Sequence, residues 1–497
     1  MAEPRPAAPS YRFDFRSGIS TRGGVERTCA AIENGRPRFF HYWLDDLSIT
    51  AVAGCPLPAM AADFLDLCAA ISIADRLSPR QPEGDVRDPF NRWHRPMHLI
   101  VPVRHPDWWS QPAIVARLQE LLGFLTDDRW SFEFVARTHL LRPSESQTSL
   151  FRPPSGGITV ALHSGGLDSL LGLVALAKRT SVSTIVPVTV ATGNSWVRHV
   201  ADSVTKELRR AHSSASPMYL PVRLRIGIHT NGRRRNDREP SQRARAMLFL
   251  VTGLVTALTA GSNRLSVCEN GVGAISLPMS ADHWGAHATK AMHPTTLTLM
   301  SKLASIVFDE AMFIDNIGGL STKGELLLLL EDCHLTAAQL TASCDQATYL
   351  RRGEACGRCT SCLLRRVALT TGLLDQVIDG RAMKYQTDWF DREISWTRAN
   401  SLHLMAMRHQ VELLRNAIGD GKDFATLDAA FPDLFEVTAL APDLGLSVDD
   451  VKHRLLQLYV SHIREFDDFI ARIDRQGWGR RATVTEFSIV REDAAAG

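Results

Sequence analysis

The sequence has almost no excess charge. Lys and Arg number 56 against 54 Asp and Glu, a net charge of +2. A chain so balanced is no polyelectrolyte, and its charge alone argues for no nucleic-acid partner. A secretory signal is also missing from this reading. Residues 1–10 are rich in Pro and Ala, and no apolar h-region follows them. No stretch reaches the roughly 20 mostly apolar residues of a membrane span. The longest runs free of Asp, Glu, Lys and Arg, 180–197 and 246–263, hold 18 residues each. The first is broken by Pro187, Gly193 and Asn194. The second carries Thr252, Gly253, Thr256, Thr259 and Gly261, and reads as a buried core helix. The nine cysteines are an odd number, and four crowd into 344–362. That pattern suits a metal site in a reducing, cytoplasmic compartment better than a disulfide framework. Long repeats and low-complexity tracts are absent, and residues 1–150 contain no catalytic motif.

What remains is globular in composition, with 45% hydrophobic and 22% charged residues in 497. That length predicts two to four domains, at roughly 100–200 residues each. Five of the ten tryptophans lie in 1–150, a region read as an N-terminal accessory domain. Residues 39–43 and 97–103 read as strands, the second placed at a sheet edge by Pro102. Residues 114–125 read as a helix. Pro153-Pro154-Ser155-Gly156-Gly157 marks a boundary. Strands then alternate with helices: strands at 158–162, 183–190, 218–226 and 264–268, helices at 170–178, 197–210 and 241–260. This alternation predicts an α/β domain over 157–342, built on a parallel doubly wound sheet with ligands outside the carboxyl ends of its strands. A metal-binding segment follows at 343–370. Apolar residues at helical spacing then predict a helical C-terminal region over 371–497.

Two motifs carry chemistry. Ser164-Gly165-Gly166-Leu167-Asp168-Ser169 follows a strand and opens a helix. Gly165 and Gly166 permit backbone geometries closed to other residues, and backbone N–H groups at a helix start attract oxyanions. Ser164 and Ser169 bring hydroxyl donors. Asp168 repels a bare anion, which implies a Mg²⁺ between it and phosphate. The Gly-Lys-Ser/Thr ending of a Walker loop is absent. The second motif is Cys356-x-x-Cys359-x-x-Cys362, beginning twelve residues after Cys344. Four thiolates suit a closed, structural tetrahedral Zn²⁺. Cys344 is the expected fourth ligand, with Cys333 and His334 in reserve. Arg351, Arg352, Arg358, Arg365 and Arg366 are expected to offset the thiolate charge.

The first motif matches the Ser-Gly-Gly-x-Asp-Ser signature of the PP-loop ATP pyrophosphatases. With Cys356-Gly357-Arg358-Cys359-Thr360-Ser361-Cys362-Leu363-Leu364-Arg365-Arg366, Thr322-Lys323-Gly324-Glu325 and Arg243-Ala244-Arg245, residues 158–370 resemble the 7-cyano-7-deazaguanine synthases of the queuosine pathway. The chain differs from them in its added N-terminal and C-terminal regions. Glu269-Asn270-Gly271 followed by His293-Pro294 resembles a longer subgroup found in bacterial anti-phage defence systems.

The resemblance implies a PP-loop (adenine-nucleotide α-hydrolase-like) fold and a carbon–nitrogen ligase that adenylates 7-carboxy-7-deazaguanine or a related base with ATP, Mg²⁺ and structural Zn²⁺. An amide or nitrile follows, or conjugation to an amine of a partner protein from the same defence system. The competing readings are a tRNA-modifying adenylating enzyme, which calls for stacking aromatics on a basic surface, and a non-catalytic nucleotide-binding scaffold. Residues 164–169 would bind ATP, with Asp168, Lys323 and Arg245 as catalytic candidates. Lys323 is either the phosphate ligand or a surface lysine. Arg243 and Arg245 meet substrate carboxylate or phosphates, or are solvated. Glu269 and Asn270 read the base edge, or form an Asn-Gly turn. His293 orients a phosphate or moves a proton, or is structural before Pro294. The basic run 233–238 is a nucleic-acid contact or, as such runs usually are, a solvated loop, and it lacks the interleaved aromatics of a base-stacking surface.

Overall fold

Pro102 shows how a local rule meets a tertiary structure. It lies in the strand Pro96–Val103, which pairs on both sides and is interior, contrary to the edge position expected from proline. Even-numbered backbone groups of this strand point to the neighbour Tyr11–Asp14, where Phe15 N donates to Ile100 O at 3.0 Å. That neighbour pairs only as far as Ile100. The missing N–H of Pro102 therefore faces a side with no ladder to interrupt.

The computed structural model describes residues 11–475 except 17–18, 21–25, 34–35, 54, 81–93, 139–140, 147–156, 180, 193–194, 213–216, 230–238, 240, 242, 279–289, 347–353, 381–382, 392–396 and 420–422. Its central sheet is formed by β1 (Tyr11–Asp14), β2 (Ile19–Ser20), β3 (Glu26–Glu33), β4 (Arg36–Asp45), β5 (Pro96–Val103), β6 (Arg129–Ala136), β7 (Ile158–Leu162), β8 (Thr184–Ala191), β9 (Met218–Tyr219), β10 (Val222–His229), β11 (Arg264–Val267) and β12 (Phe313–Asn316). The order is β12-β11-β7-β8-β10-β4-β3-β1-β5-β6, with β2 on β3 and β9 on β8. Strands β12 through β10 are parallel. The sheet then continues antiparallel through β4, β3 and β1 before β5 and β6 run parallel to β1. The fold is thus α/β with a large, mostly parallel sheet. Strands from 1–150 and from 157–342 belong to one ladder, joined where β4 pairs β10. The single strand expected at 218–226 is two, because Leu220 and Pro221 interrupt it between β9 and β10.

Helix Arg245–Thr259 is apolar over most of its surface because the sheet covers one side and helix Ala59–Leu77 another, leaving Arg245 and Phe249 half-buried. Its threonines satisfy themselves, Thr252 Oγ1 donating to Leu248 O and Thr256 Oγ1 to Thr252 O, each at 2.7 Å. A second core joins helices Arg398–Ile418 and Val448–Arg475 to Leu363, Leu364 and Val367 of helix Thr360–Thr371. Among the described residues no helix is long and apolar enough to cross a membrane.

Candidate active site

The glycine loop starts where β7 ends. His163 N donates to Val188 O and Thr189 Oγ1 donates to His163 O, both at 2.8 Å, pinning the strand end to β8. Gly165 then turns with φ of +80°. A Cβ there would sit 2.8 Å from Val200 Cγ1 and 2.9 Å from Ala201 N, so glycine is required twice over. Gly166 caps helix Leu167–Ala177. Gly166 N donates to Ser164 Oγ at 3.3 Å, and Ser169 Oγ donates to Gly166 O at 2.9 Å. His163 is buried, which pushes its imidazole down to about 4 and keeps it neutral. Its Nε2 lies 3.2 Å from Ala201 O, and its Nδ1 lies 3.2 Å from Ser169 Oγ. A proton on Nε2 meets the Ala201 carbonyl and ties the loop to helix Ser195–Ala211, while Nδ1 lies beside a Ser169 hydroxyl whose single proton is directed to Gly166 O.

Asp168 sits in the first turn of the following helix, with one oxygen 2.7 Å from Lys323 Nζ and the other 3.2 Å from Asn270 Nδ2. Lys323 is 5% exposed, so it is no surface lysine. Burial disfavours its ammonium, but Asp168 and Glu269 outweigh burial and raise it above the ordinary lysine value. Glu269 and Asn270 follow β11 at its carboxyl end. Burial, then the Asp168 charge, push the Glu269 carboxyl up to about 8, so it is protonated at neutral pH. Asn270 is the N-cap of the short helix Gly271–Ile275, accepting from Gly273 N at 3.0 Å, while its amide nitrogen bridges Asp168 and Glu269.

Ser164, Gly166, Asp168, Ser169, Glu269 and Lys323 face a cavity of about 670 Å³, lined also by Trp196, Arg245, Phe249, Asp345, Gln410 and Tyr459, whereas Asn270 supports Asp168 and Glu269 from outside the lining. The cavity's volume is that of a small-molecule site. Arg245 opens helix Arg245–Thr259 with its guanidinium 5.4 Å above the Phe249 ring. No hydrogen-bond or ion-pair partner meets it among the described residues, and burial lowers its pKa. A cation held in a partly dry wall with no carboxylate in contact, only the charges of Asp75 and Asp345 acting from further off, is costly, and an anion entering the cavity would relieve that cost.

Arg243 and His293 lie apart from this wall. Arg243 belongs beside Arg80, Asp127 and Glu239, where burial and then Arg80 push it down to about 10. His293 caps helix Pro294–Phe308, its Nδ1 accepting from Thr295 N at 3.2 Å, and packs on Phe124. Burial, then Lys290, push it down to about 4.

Cys344, Cys356, Cys359 and Cys362 bring four Sγ atoms within 4.8 Å of one another. Cys356 and Cys362 Sγ lie 3.9 Å apart, close to the ~3.8 Å separation of tetrahedral ligands at about 2.3 Å from zinc. The group can hold a metal ion such as zinc. Gly357, at φ of +74°, makes the turn between ligands, and Trp389 Nε1 closes it by donating to Gly357 O at 2.7 Å. Cys333 and His334 gather elsewhere with Glu331, and His334 Nε2 faces His212 Nε2 at 3.1 Å. Of the arginines expected to offset the thiolate charge, Arg365 lies within the field of Cys362, and both it and Arg366 also carry carboxylate partners. Arg365 pairs with Asp379 at 2.8 Å and Arg366 with Asp388 at 2.9 Å, because both point into carboxylate-bearing walls. Arg358 donates to Asn400 Oδ1. Arg351, Arg352 and the basic run 233–238 lie outside the described residues.

The cysteine segment also reaches the glycine loop. Ala342 N donates to Gly165 O at 3.1 Å, and Leu167 N donates to Ser343 Oγ at 3.3 Å. Ser343 and His163 were missed in the sequence, although each adjoins a motif residue. Gln410 and Tyr459 reach the wall from helices whose spacing announces only a core. No protein-family model matches the chain, and a search of curated proteins finds no match.

Proposed function

We propose that the protein uses ATP to adenylate a carboxylate, that its α/β core is of the PP-loop type, and that the substrate is 7-carboxy-7-deazaguanine or a close relative. The observation that carries this reading is the meeting of a glycine loop, a buried Asp168–Lys323 pair and an unpaired Arg245 around one cavity. A carboxylate oxygen attacks the α-phosphorus of ATP, the bond to the β-phosphate oxygen breaks, and pyrophosphate leaves with the electron pair. An amine nitrogen then attacks the acyl carbon, AMP leaves, and the nitrogen loses a proton as the amide forms.

The protein's part is positioning and charge. The loop N–H groups and Ser164 hold phosphate oxygens. Lys323 spreads the charge of the crowded phosphorus centre. Arg245 takes the substrate carboxylate, and Phe249 supports the guanidinium from behind. Glu269, carrying its proton, meets the polar edge of the base. Asp168, at the loop side of the cavity, is the carboxylate that would hold Mg²⁺, and that ion supplies neutralisation of phosphate charge. The four cysteines would hold Zn²⁺ as a structural centre away from the reacting atoms.

The test is mass-resolved turnover of ATP with 7-carboxy-7-deazaguanine, with and without ammonia, and with Asp168→Ala as control. AMP and pyrophosphate that depend on the base, and vanish in the variant, are expected. A nitrile product assigns a pathway-type synthase, and a conjugated base without nitrile assigns a defence-type ligase. Absence of base-dependent AMP removes the deazaguanine assignment.

A further inference from the structure

Lys323 stands in a turn that the glycine-loop domain does not hold by itself. Thr322 caps the five-residue helix Lys323–Leu327 through a reciprocal box: Glu325 N donates to Thr322 Oγ1 at 3.1 Å, and Thr322 N donates to Glu325 Oε2 at 2.9 Å. The hydroxyl proton of Thr322 goes outward, to Glu465 Oε1 of helix Val448–Arg475. Gly324 N also donates to the Glu465 carboxylate. A Cβ on Gly324 would lie 2.3 Å from Glu465 Oε1, so the approach exists only because residue 324 has no side chain. One helical turn earlier, Ser461 Oγ donates to Glu325 Oε1 at 2.7 Å. Residues 322, 324 and 325 are thereby clamped around Lys323, while Glu465 itself lines none of the cavity. A buried carboxylate is tolerated where such donors meet it.

We propose that Glu465 is a positioning residue: through the Thr322–Gly324 backbone it holds the Lys323 ammonium against Asp168, and this is what the C-terminal helical region contributes to the site. The inference rests on reading Lys323 as the group that meets phosphate. Its reach is wider than that reading, because the clamp is a property of the Lys323–Asp168 contact with or without nucleotide.

Two readouts separate the two ideas. The first is the rate at which acetic anhydride acetylates Lys323 in the full-length, nucleotide-free protein, followed by peptide mass spectrometry. The second is kcat and KM for ATP turnover. Glu465→Ala is expected to speed acetylation about tenfold and to lower kcat by about 10- to 100-fold with little change in KM, since misplacement by about 1 Å costs that much. Glu465→Gln, which keeps an acceptor oxygen for Thr322, is expected to recover most of both. Gly324→Ala pushes the carboxylate off the turn from the other side and should match Glu465→Ala, which covers the case in which the latter fails to fold. Arg472→Ala cuts a separate tie of the same helix, the 2.6 Å pair with Asp375, and should leave both readouts near wild type. Wild-type acetylation in Glu465→Ala and Gly324→Ala overturns the proposal, as does an equal effect from Arg472→Ala. If the wild type shows no ATP turnover, the functional reading fails, and acetylation still decides the role of Glu465.

Discussion

At the scale of single residues, the site is governed by which charges have partners. Asp168 is satisfied by Lys323 and Asn270. Glu269 hydrogen-bonds Asn270 but has no cation of its own, and so it holds a proton. Its folded pKa, about 8, lies above the 4.5 of an ordinary glutamate. The folded protein therefore binds more protons than the unfolded chain between these values, and stability falls as pH rises through that window. Glu269→Gln removes the ionisation while keeping the hydrogen-bonding shape. Thermal melts should show the variant more stable than wild type above pH 8, by about 1 kcal/mol once contact with cavity water is allowed for. The difference should vanish below about pH 4.5.

At the scale of elements, the glycine loop is held by backbone geometry and by the cysteine segment. Gly165→Ala must accept a left-handed backbone and a Cβ against Val200 and Ala201. The conformational term alone is about 1–2 kcal/mol. Denaturant titration should show at least that loss, and calorimetric titration should show no ATP binding although Ser164, Asp168 and Ser169 are intact. The cysteine segment makes its own prediction. Cys344→Ser removes one thiolate next to Ser343, whose hydroxyl meets Leu167 N. Metal content by atomic emission should fall well below wild type. Hydrogen exchange at Leu167 and Gly165 should quicken with it, and chelation of the wild-type protein should reproduce that exchange pattern.

At the scale of the whole molecule, the N-terminal strands and helices hold the other side of the site. Asp75, at the end of helix Ala59–Leu77, accepts from Ala244 N at 3.0 Å and from Arg95 Nη2 at 2.6 Å. Arg95 continues to Asp128, which Arg80 also grips at 2.9 Å. This buried network anchors the start of the helix that presents Arg245. Asp75→Ala leaves a helix N–H and the Arg95 guanidinium short of an acceptor. It should cost about 3 kcal/mol in urea unfolding, in the range for breaking a buried ionic contact. Exchange should quicken at the first turn of helix Arg245–Thr259 before the sheet is affected.

The sequence by itself determined the parts whose chemistry is local. A strand, two adjacent glycines and a helix start are legible as a loop from near neighbours alone, because backbone geometry and helix-end N–H groups depend on them, even though distant segments then hold it in place. Closely spaced cysteines likewise make a ligand set, and the uncharged run at 246–263 reads as core. Only the tertiary structure decided what each charge does. Arg243 and Arg245 are two residues apart and look alike in sequence, yet one is drawn in beside Arg80 and Glu239 while the other faces the cavity unpaired. His293 became a helix cap, Pro102 an interior strand residue, and Glu465, on a helix with no motif, a clamp on Lys323. Burial and through-space partners set the cost of a charge or an unpaired donor. Those partners lie far away along the chain, 169 positions for Asp75 and Ala244, beyond the reach of any local pattern.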